Sequence, residues 1–119
     1  MSIQVGTDIV SVERVKSSIE KFGERFLKRF LSVDEIESLV KVESIAGYWA
    51  SKEAVAKALR CGIGRELSFL DIKIYKDINN SPYFKLSDRV SRKFRIKESS
   101  LSISHDGNFA IAVVVLILM

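Results

Sequence analysis

Glu53 and Lys57 stand four residues apart, with Trp49 four before and Arg60 three after, so a helix would carry all four on one face. A carboxylate one turn from an ammonium reads in two ways. As a solvated ion pair it is worth about a few tenths of a kcal/mol. As a site, the carboxylate holds a divalent cation and the ammonium meets phosphate oxygens. Two features favour the site. A large aromatic lies on the charged stripe, and the segment runs into Gly62-Ile63-Gly64, where backbone can approach a ligand closely. Asp8 offers a second carboxylate after Gly6-Thr7, as a turn or cap residue or as a second ligand. Mg²⁺ takes one or two carboxylates and completes its shell with water and substrate phosphates, a count that Asp8 with Glu53 satisfies.

His105 is the only histidine and Cys61 the only cysteine, so a multi-histidine metal site and a zinc site are excluded. A triad built from Ser104, His105 and Asp106 is excluded as well, because neighbours on a strand point to opposite faces. His105 is then either a solvated turn histidine or part of a polar loop that binds a phosphate or a base. Basic residues supply the last cluster. On one continuous helix Arg14, Lys21, Arg25 and Lys28 fall within roughly 60° of one another. Glu13, Glu20 and Glu24 form a separate stripe. Charge sorted in this way suits docking to an acidic helix, and equally a solvated face with local ion pairs.

The elements that must position these residues are set by periodicity. Residues 3–10 alternate loosely and read as a strand, with Ser11 as the N-cap of a helix beginning at Val12. Val12, Val15, Ile19, Phe22 and Phe26 recur at three and four, which predicts an amphipathic helix bent or broken at Gly23. Ser32-Val33-Asp34-Glu35 has the form of a capping box, starting a second helix with Ile36, Leu39 and Val40 inward. A third helix is expected from Ile45 to Arg60, with Ala50, Ala54, Val55 and Ala58 on its packing side. Phe69, Ile72 and Ile74 suggest a strand that pairs with Tyr83–Leu86. Asp88–Phe94 reads as a short helix. Leu101–Ser104 and Phe109–Leu118 form a final hairpin through Asp106-Gly107. The expected fold is a single α+β domain over residues 1–119, an antiparallel-rich sheet packed against helices and joined by the first strand.

Composition narrows the function classes. The chain is 47% hydrophobic and 29% charged, enough to bury a core. One cysteine rules out an internal disulfide framework and suits a reducing cytosol. The first residues lack the pattern of a signal peptide, and Phe109–Leu118 is half the length of a spanning helix. A net charge of +4 favours acidic partners. Nucleic acid ranks second among them, because the basic stripe is short and no zinc-finger or aromatic RNA-binding pattern appears.

Three blocks together resemble the holo-acyl-carrier-protein synthases, the small bacterial type of 4′-phosphopantetheinyl transferase. Val5-Gly6-Thr7-Asp8-Ile9-Val10 is similar to the family's N-terminal block. Tyr48 through Leu59, with Trp49, Lys52-Glu53-Ala54 and Lys57-Ala58, followed by Gly62-Ile63-Gly64, is similar to its central helix and glycine turn. Leu101-Ser102-Ile103-Ser104-His105-Asp106 is similar to its last block, and Arg25-Phe26, Arg29 and Ser32–Glu35 also match. The blocks keep the family order across essentially the whole chain. There are three departures: Tyr48 stands where arginine is common, Arg60-Cys61 replace the first two residues of the glycine turn, and Asn80-Ser81-Pro82 replaces a Gly-x-Pro.

The resemblance implies a cytoplasmic enzyme of fatty acid biosynthesis. It would transfer 4′-phosphopantetheine from coenzyme A to a serine of apo-acyl carrier protein and release 3′,5′-ADP. It further implies Mg²⁺ on Asp8 and Glu53, Glu53 or a water it orients as base, and Lys57 on the pyrophosphate. Gly62 and Gly64 would line the cofactor channel, Ser104 and His105 would reach the adenosine 3′-phosphate, and Arg14, Lys21 and Arg25 would dock the carrier. The family's homotrimers, with sites at subunit junctions, imply the same assembly here, with neither nucleic acid nor membrane as partner. The alternative reading is a non-catalytic basic module for nucleic acid or a phosphorylated ligand.

Overall fold

A computed structural model describes all residues from Met1 to Met119. Strand β1 (Ser2–Ser11) passes directly into helix α1 (Val12–Phe22), with the Ser11 side chain accepting the Arg14 N–H as N-cap. Gly23 ends α1 at φ +57°, a left-handed backbone that favours glycine, and α2 (Glu24–Phe30) departs in a new direction. The basic stripe expected on one helix is therefore divided: Arg14 and Lys21 lie on α1, Arg25 and Lys28 on α2.

Helix α3 (Val33–Ser38) opens with the expected capping box of Ser32 and Glu35. It is only six residues long, and it leaves Val40 exposed beyond its end rather than turned inward. Helix α4 (Val42–Ala58) forms the centre of the domain. Its end is a Schellman turn: the Arg60 N–H donates to the Lys57 carbonyl and the Cys61 N–H to Ala56. Arg60 takes the left-handed position at φ 61°, so it lies past the helix and not on the stripe of Glu53 and Lys57.

Hairpin β2 (Ile72–Lys76) and β3 (Pro82–Leu86) forms its own two-stranded sheet. Phe69, expected in β2, sits in a 3₁₀ turn over Phe69–Asp71, where Asp71 reaches back to the Ser68 N–H. Helix α5 (Asp88–Phe94) leads to β4 (Ile96–Asp106), which begins earlier than expected and carries a bulge between Ile96 and Glu98. Its hairpin to β5 (Phe109–Leu118) turns at Gly107-Asn108, since Asp106 pairs with Phe109.

The large sheet runs β1-β5-β4, all antiparallel, so the first strand joins the last hairpin as expected. Alternation divides it into two faces. Ala110, Ala112, Val114 and Leu116 of β5 are buried toward α4, where Val114 and Leu116 are each worth about 2 kcal/mol. Ile3, Val5 and Ile9 of β1 with Phe109, Ile111 and Val113 of β5 remain exposed on the other face. No helix is long and apolar enough to cross a membrane.

Candidate active site

The site begins with a glycine. Gly6 lies on the inner face of β1, directly over α4, where a Cβ would come within 2.0 Å of the Ala54 carbonyl oxygen and 2.6 Å of the Ala58 nitrogen. No side chain fits that gap, so glycine and the alanines opposite let strand and helix touch backbone to backbone. Two residues along the same face, Asp8 arrives beside α4. Its Oδ1 accepts from Lys57 Nζ at 3.0 Å.

Glu53 joins this pair one helical turn earlier. Burial pushes its carboxyl above the ordinary glutamate range, the Asp8 carboxylate raises it further, and Lys57 opposes both. Asp8, Glu53 and Arg14 line one cavity of about 300 Å³, whose wall includes Trp49, Phe26 and Ser11. A carboxyl whose ionisation is made costlier by a carboxylate beside it belongs to a donor set that a divalent cation relieves. No group of three or more His, Cys, Asp or Glu side chains converges anywhere in the chain, so protein ligands alone would not close a metal shell. A hard cation that keeps waters and phosphate oxygens in its shell fits two carboxylates.

Trp49 is not the solvated member of a charged stripe. Its ring stacks on Phe26 at 5.8 Å and meets Phe30 edge-on at 4.9 Å and Phe69 at 5.1 Å. It is a half-buried wall that joins α4 to α2 and to the 3₁₀ turn. Gly62 and Gly64 follow in an exposed loop, Gly62 at φ +69°, and an added Cβ would meet nothing within 4 Å at either. Burial and the Glu66 carboxylate push the Cys61 thiol above its ordinary value, so it is a poor nucleophile.

His105 lies elsewhere. Its Nε2 donates to the Glu43 carbonyl at 2.9 Å, since a carbonyl can only accept, and this leaves Nδ1 as the free ring atom. Gly47 makes the room, because a Cβ there would stand 3.2 Å from Nε2. His105, Tyr48, Ser44, Lys76, Asn80 and Pro82 line a cavity of about 150 Å³ that shares no residue with the one holding Asp8 and Glu53. Ser104 faces the other side of the sheet, across from Ile111, and does not enter it. Tyr48, at the position where the resemblance expects arginine, is buried, and burial followed by the Glu35 charge raises its phenol. Lys76 is the cation here, and nothing in the sequence set it apart from the other hairpin lysines.

Arg25 lines a third, shallow cavity of about 480 Å³ with Phe22, Phe26, Lys28 and Arg29, while Lys21 is exposed at the end of α1. The Lys52–Glu35 pair is a feature that sequence alone did not single out. Lys52 Nζ, fully buried, donates to Glu35 Oε1 at 2.8 Å and to the Phe30 carbonyl at 2.6 Å. The signals in the sequence were Glu35 at the third position of a capping box and a lysine immediately before Glu53.

An α+β domain whose β1 and α4 bring two carboxylates and an ammonium together has the architecture of the phosphopantetheinyl transferases. The sequence matches the family described as the 4′-phosphopantetheinyl transferase superfamily over residues 4–114. It is 52% identical over 111 residues to a holo-acyl-carrier-protein synthase of Sulfurovum, covering 93% of each chain. It is 51% identical over 111 residues to that of Campylobacter fetus, covering 93% of this chain and 96% of the relative. A crystal structure of the Helicobacter pylori holo-acyl-carrier-protein synthase in complex with coenzyme A superposes with a TM-score of 0.93 at 52% identity, covering 95% of this chain and 99% of that one. The chain belongs to the holo-acyl-carrier-protein synthase family of 4′-phosphopantetheinyl transferases.

Proposed function

We infer that this protein transfers 4′-phosphopantetheine from coenzyme A to a serine of apo-acyl carrier protein, giving holo-carrier and 3′,5′-ADP, in fatty acid biosynthesis. The observation that carries the site assignment is the meeting of Asp8, Glu53 and Lys57 where β1 crosses α4.

The serine oxygen attacks the β-phosphorus of the pyrophosphate, the bond to the bridging oxygen breaks, and 3′,5′-ADP departs with the electron pair. Such a reaction is governed by positioning and charge neutralisation. Asp8 and Glu53 would hold Mg²⁺, which when bound supplies positive charge to the pyrophosphate oxygens. Glu53, or a water it orients, takes the serine proton. In the metal-free chain burial and the Asp8 carboxylate raise that carboxyl, which makes it a stronger base than an ordinary glutamate. Lys57 is half exposed and free to swing from Asp8 to pyrophosphate oxygens once they arrive. Arg14, on the same cavity as Glu53, guides the acidic carrier so that its serine enters beside the base, and Lys21 and Arg25 extend that basic surface. Gly62 and Gly64 leave the channel mouth unobstructed. His105 binds the adenosine 3′-phosphate through Nδ1, with Lys76 beside it, while Ser104, on the opposite face of β4, stays outside that cavity.

The separation of the two cavities in one chain favours a site completed between copies. Packing three copies through the exposed apolar face of β1 and β5 would bury Ile3, Val5, Ile9 and Val113, which are 70%, 64%, 59% and 39% exposed. We read the protein as a homotrimer on this basis, and as cytoplasmic in keeping with its single thiol. The test is incubation with coenzyme A, Mg²⁺ and an apo-carrier protein, followed by mass spectrometry. Addition of one phosphopantetheine is expected, and it should stop when the metal is chelated. An unmodified carrier, with tight nucleic-acid binding instead, would replace this reading by that of a basic binding module.

A further inference from the structure

The buried pair Lys52–Glu35 stands next to the site in sequence and beneath it in space. Lys52 Nζ is fully buried, and its three partners come from three different segments: Glu35 Oε1 of α3 at 2.8 Å, the Phe30 carbonyl ending α2 at 2.6 Å, and the Phe69 carbonyl of the 3₁₀ turn at 3.3 Å. Glu35 is equally occupied. Its Oε1 also accepts the Ser32 N–H at 2.9 Å, and its Oε2 accepts the Ile74 N–H of β2 at 3.0 Å. No buried side-chain polar atom in the chain is left without a partner. The ammonium and carboxylate thus bind α2, α3, the 3₁₀ turn and β2 to one point on α4.

The two carbonyls that Lys52 holds belong to Phe30 and Phe69. Their rings are the ones that box Trp49, at 4.9 Å and 5.1 Å, and Trp49 with Glu53 lines the cavity that also holds Asp8. The path from the pair to the site is short and made of rigid parts. The tether fixes Phe30 and Phe69, their rings fix the indole, and Lys52 itself fixes the rotation of α4 immediately before Glu53. A buried ion pair adds little to stability compared with apolar residues of the same shape, while it specifies one arrangement of the segments that surround it.

We propose that Lys52 and Glu35 are positioning residues of the transferase site, acting through the Phe30–Trp49–Phe69 box and through the orientation of α4 on Glu53. The proposal rests on the transferase reading, and its test has one arm that does not. Trp49 is the only tryptophan, so its fluorescence reports the wall of the cavity directly. The variants are Lys52→Met, which keeps the length of the side chain without its charge, and Glu35→Gln, which keeps hydrogen-bonding capacity and the helix cap. Each is measured well below its own melting temperature. The pair as a positioning device predicts a red-shifted Trp49 emission in both. It also predicts a kcat per folded molecule lower by about tenfold or more, with KM for coenzyme A within about twofold of the parent. A pair that only holds the fold together would lower the melting temperature and leave emission and kcat of the folded protein unchanged. That result in Glu35→Gln overturns the proposal even where Lys52→Met does not fold. A parent without transferase activity would overturn the functional reading instead, and the emission arm would still decide whether the pair sets the position of Trp49.

Discussion

Lys52 and Lys57 stand on the same helix and each meets one carboxylate, in opposite circumstances. The Lys52–Glu35 pair is 0% and 4% exposed, and every polar atom of it is engaged by backbone groups or by the partner. Burial pulls the Lys52 ammonium below its ordinary value, against the upward pull of Glu35. The Lys57–Asp8 pair is 55% and 16% exposed, and its ammonium has a single partner. Beside it Glu53 is held above its ordinary range by burial and by Asp8. The first pair is closed, with no capacity left for a ligand. The second carries two carboxylates and one half-exposed cation, an arrangement that costs stability in the free protein and relaxes on meeting a cation and phosphates. Ionic residues a few positions apart can thus be divided by saturation: the saturated pair sets geometry, and the unsaturated cluster has chemistry left to do.

Four experiments bear on that division, and the largest effect is expected at the open cluster. Asp8→Ala should lower transfer by about a thousandfold or more, and Lys57→Ala by about a hundredfold, with melting temperatures close to the parent. Enzyme assay beside thermal denaturation separates the two effects, and near-parent turnover in Asp8→Ala would remove that residue from the site. At the closed pair the order reverses. Lys52→Ala leaves Glu35 buried and unpaired and should cost about 3–5 kcal/mol in denaturant unfolding. A loss below about 1 kcal/mol would mean that the pair is not a tether between segments. Gly6→Ala tests how the open cluster is assembled. The new Cβ collides with backbone atoms of α4, so β1 must move away and carry Asp8 with it. Transfer should fall by about tenfold or more, and unchanged activity would show that the close approach is unnecessary. The smallest effect belongs to the rim. Arg14→Ala should weaken carrier binding by about two- to tenfold at low salt, and added salt should erase the difference. Binding that ignores ionic strength would count against a charged docking face.

Much of the fold and site was legible in sequence, for identifiable reasons. Capping residues gave Ser11 and Ser32, and periodicity gave α1, the centre of α4 and α5, because those signals are local. Gly23 was expected to bend or break the helix, and its left-handed backbone breaks it, so a wheel drawn on through Arg25 and Lys28 could not hold. Arg60 lay on the expected stripe only while the helix was taken to continue. The Schellman turn ends it at Ala58. Val40 fell outside α3 because six residues end before its periodicity can turn that side chain inward. What local pattern could not supply was depth. Lys52 and Lys57 look alike on paper, and only the arrival of Glu35, Phe30 and Phe69 from distant segments distinguishes them. The same holds for Ser104 and His105, adjacent in the motif and on opposite faces of β4.

Glu53 as the working carboxylate is tested most directly by Glu53→Gln, with mass spectrometry of the carrier across a pH series set beside thermal stability. In the parent the carboxylate must be ionised to act, so activity should fall as pH drops far enough to protonate it. In the metal-free protein burial and the Asp8 carboxylate hold that carboxyl above the ordinary glutamate range. A carboxyl raised in the folded state stabilises the fold below its unfolded value and loses that contribution as pH rises through the folded one. The glutamine variant bears no cost of ionisation, so near neutral pH it should be inactive and at least as stable as the parent. A Glu53→Gln protein that modifies the carrier at near-parent rates would contradict the role assigned to Glu53.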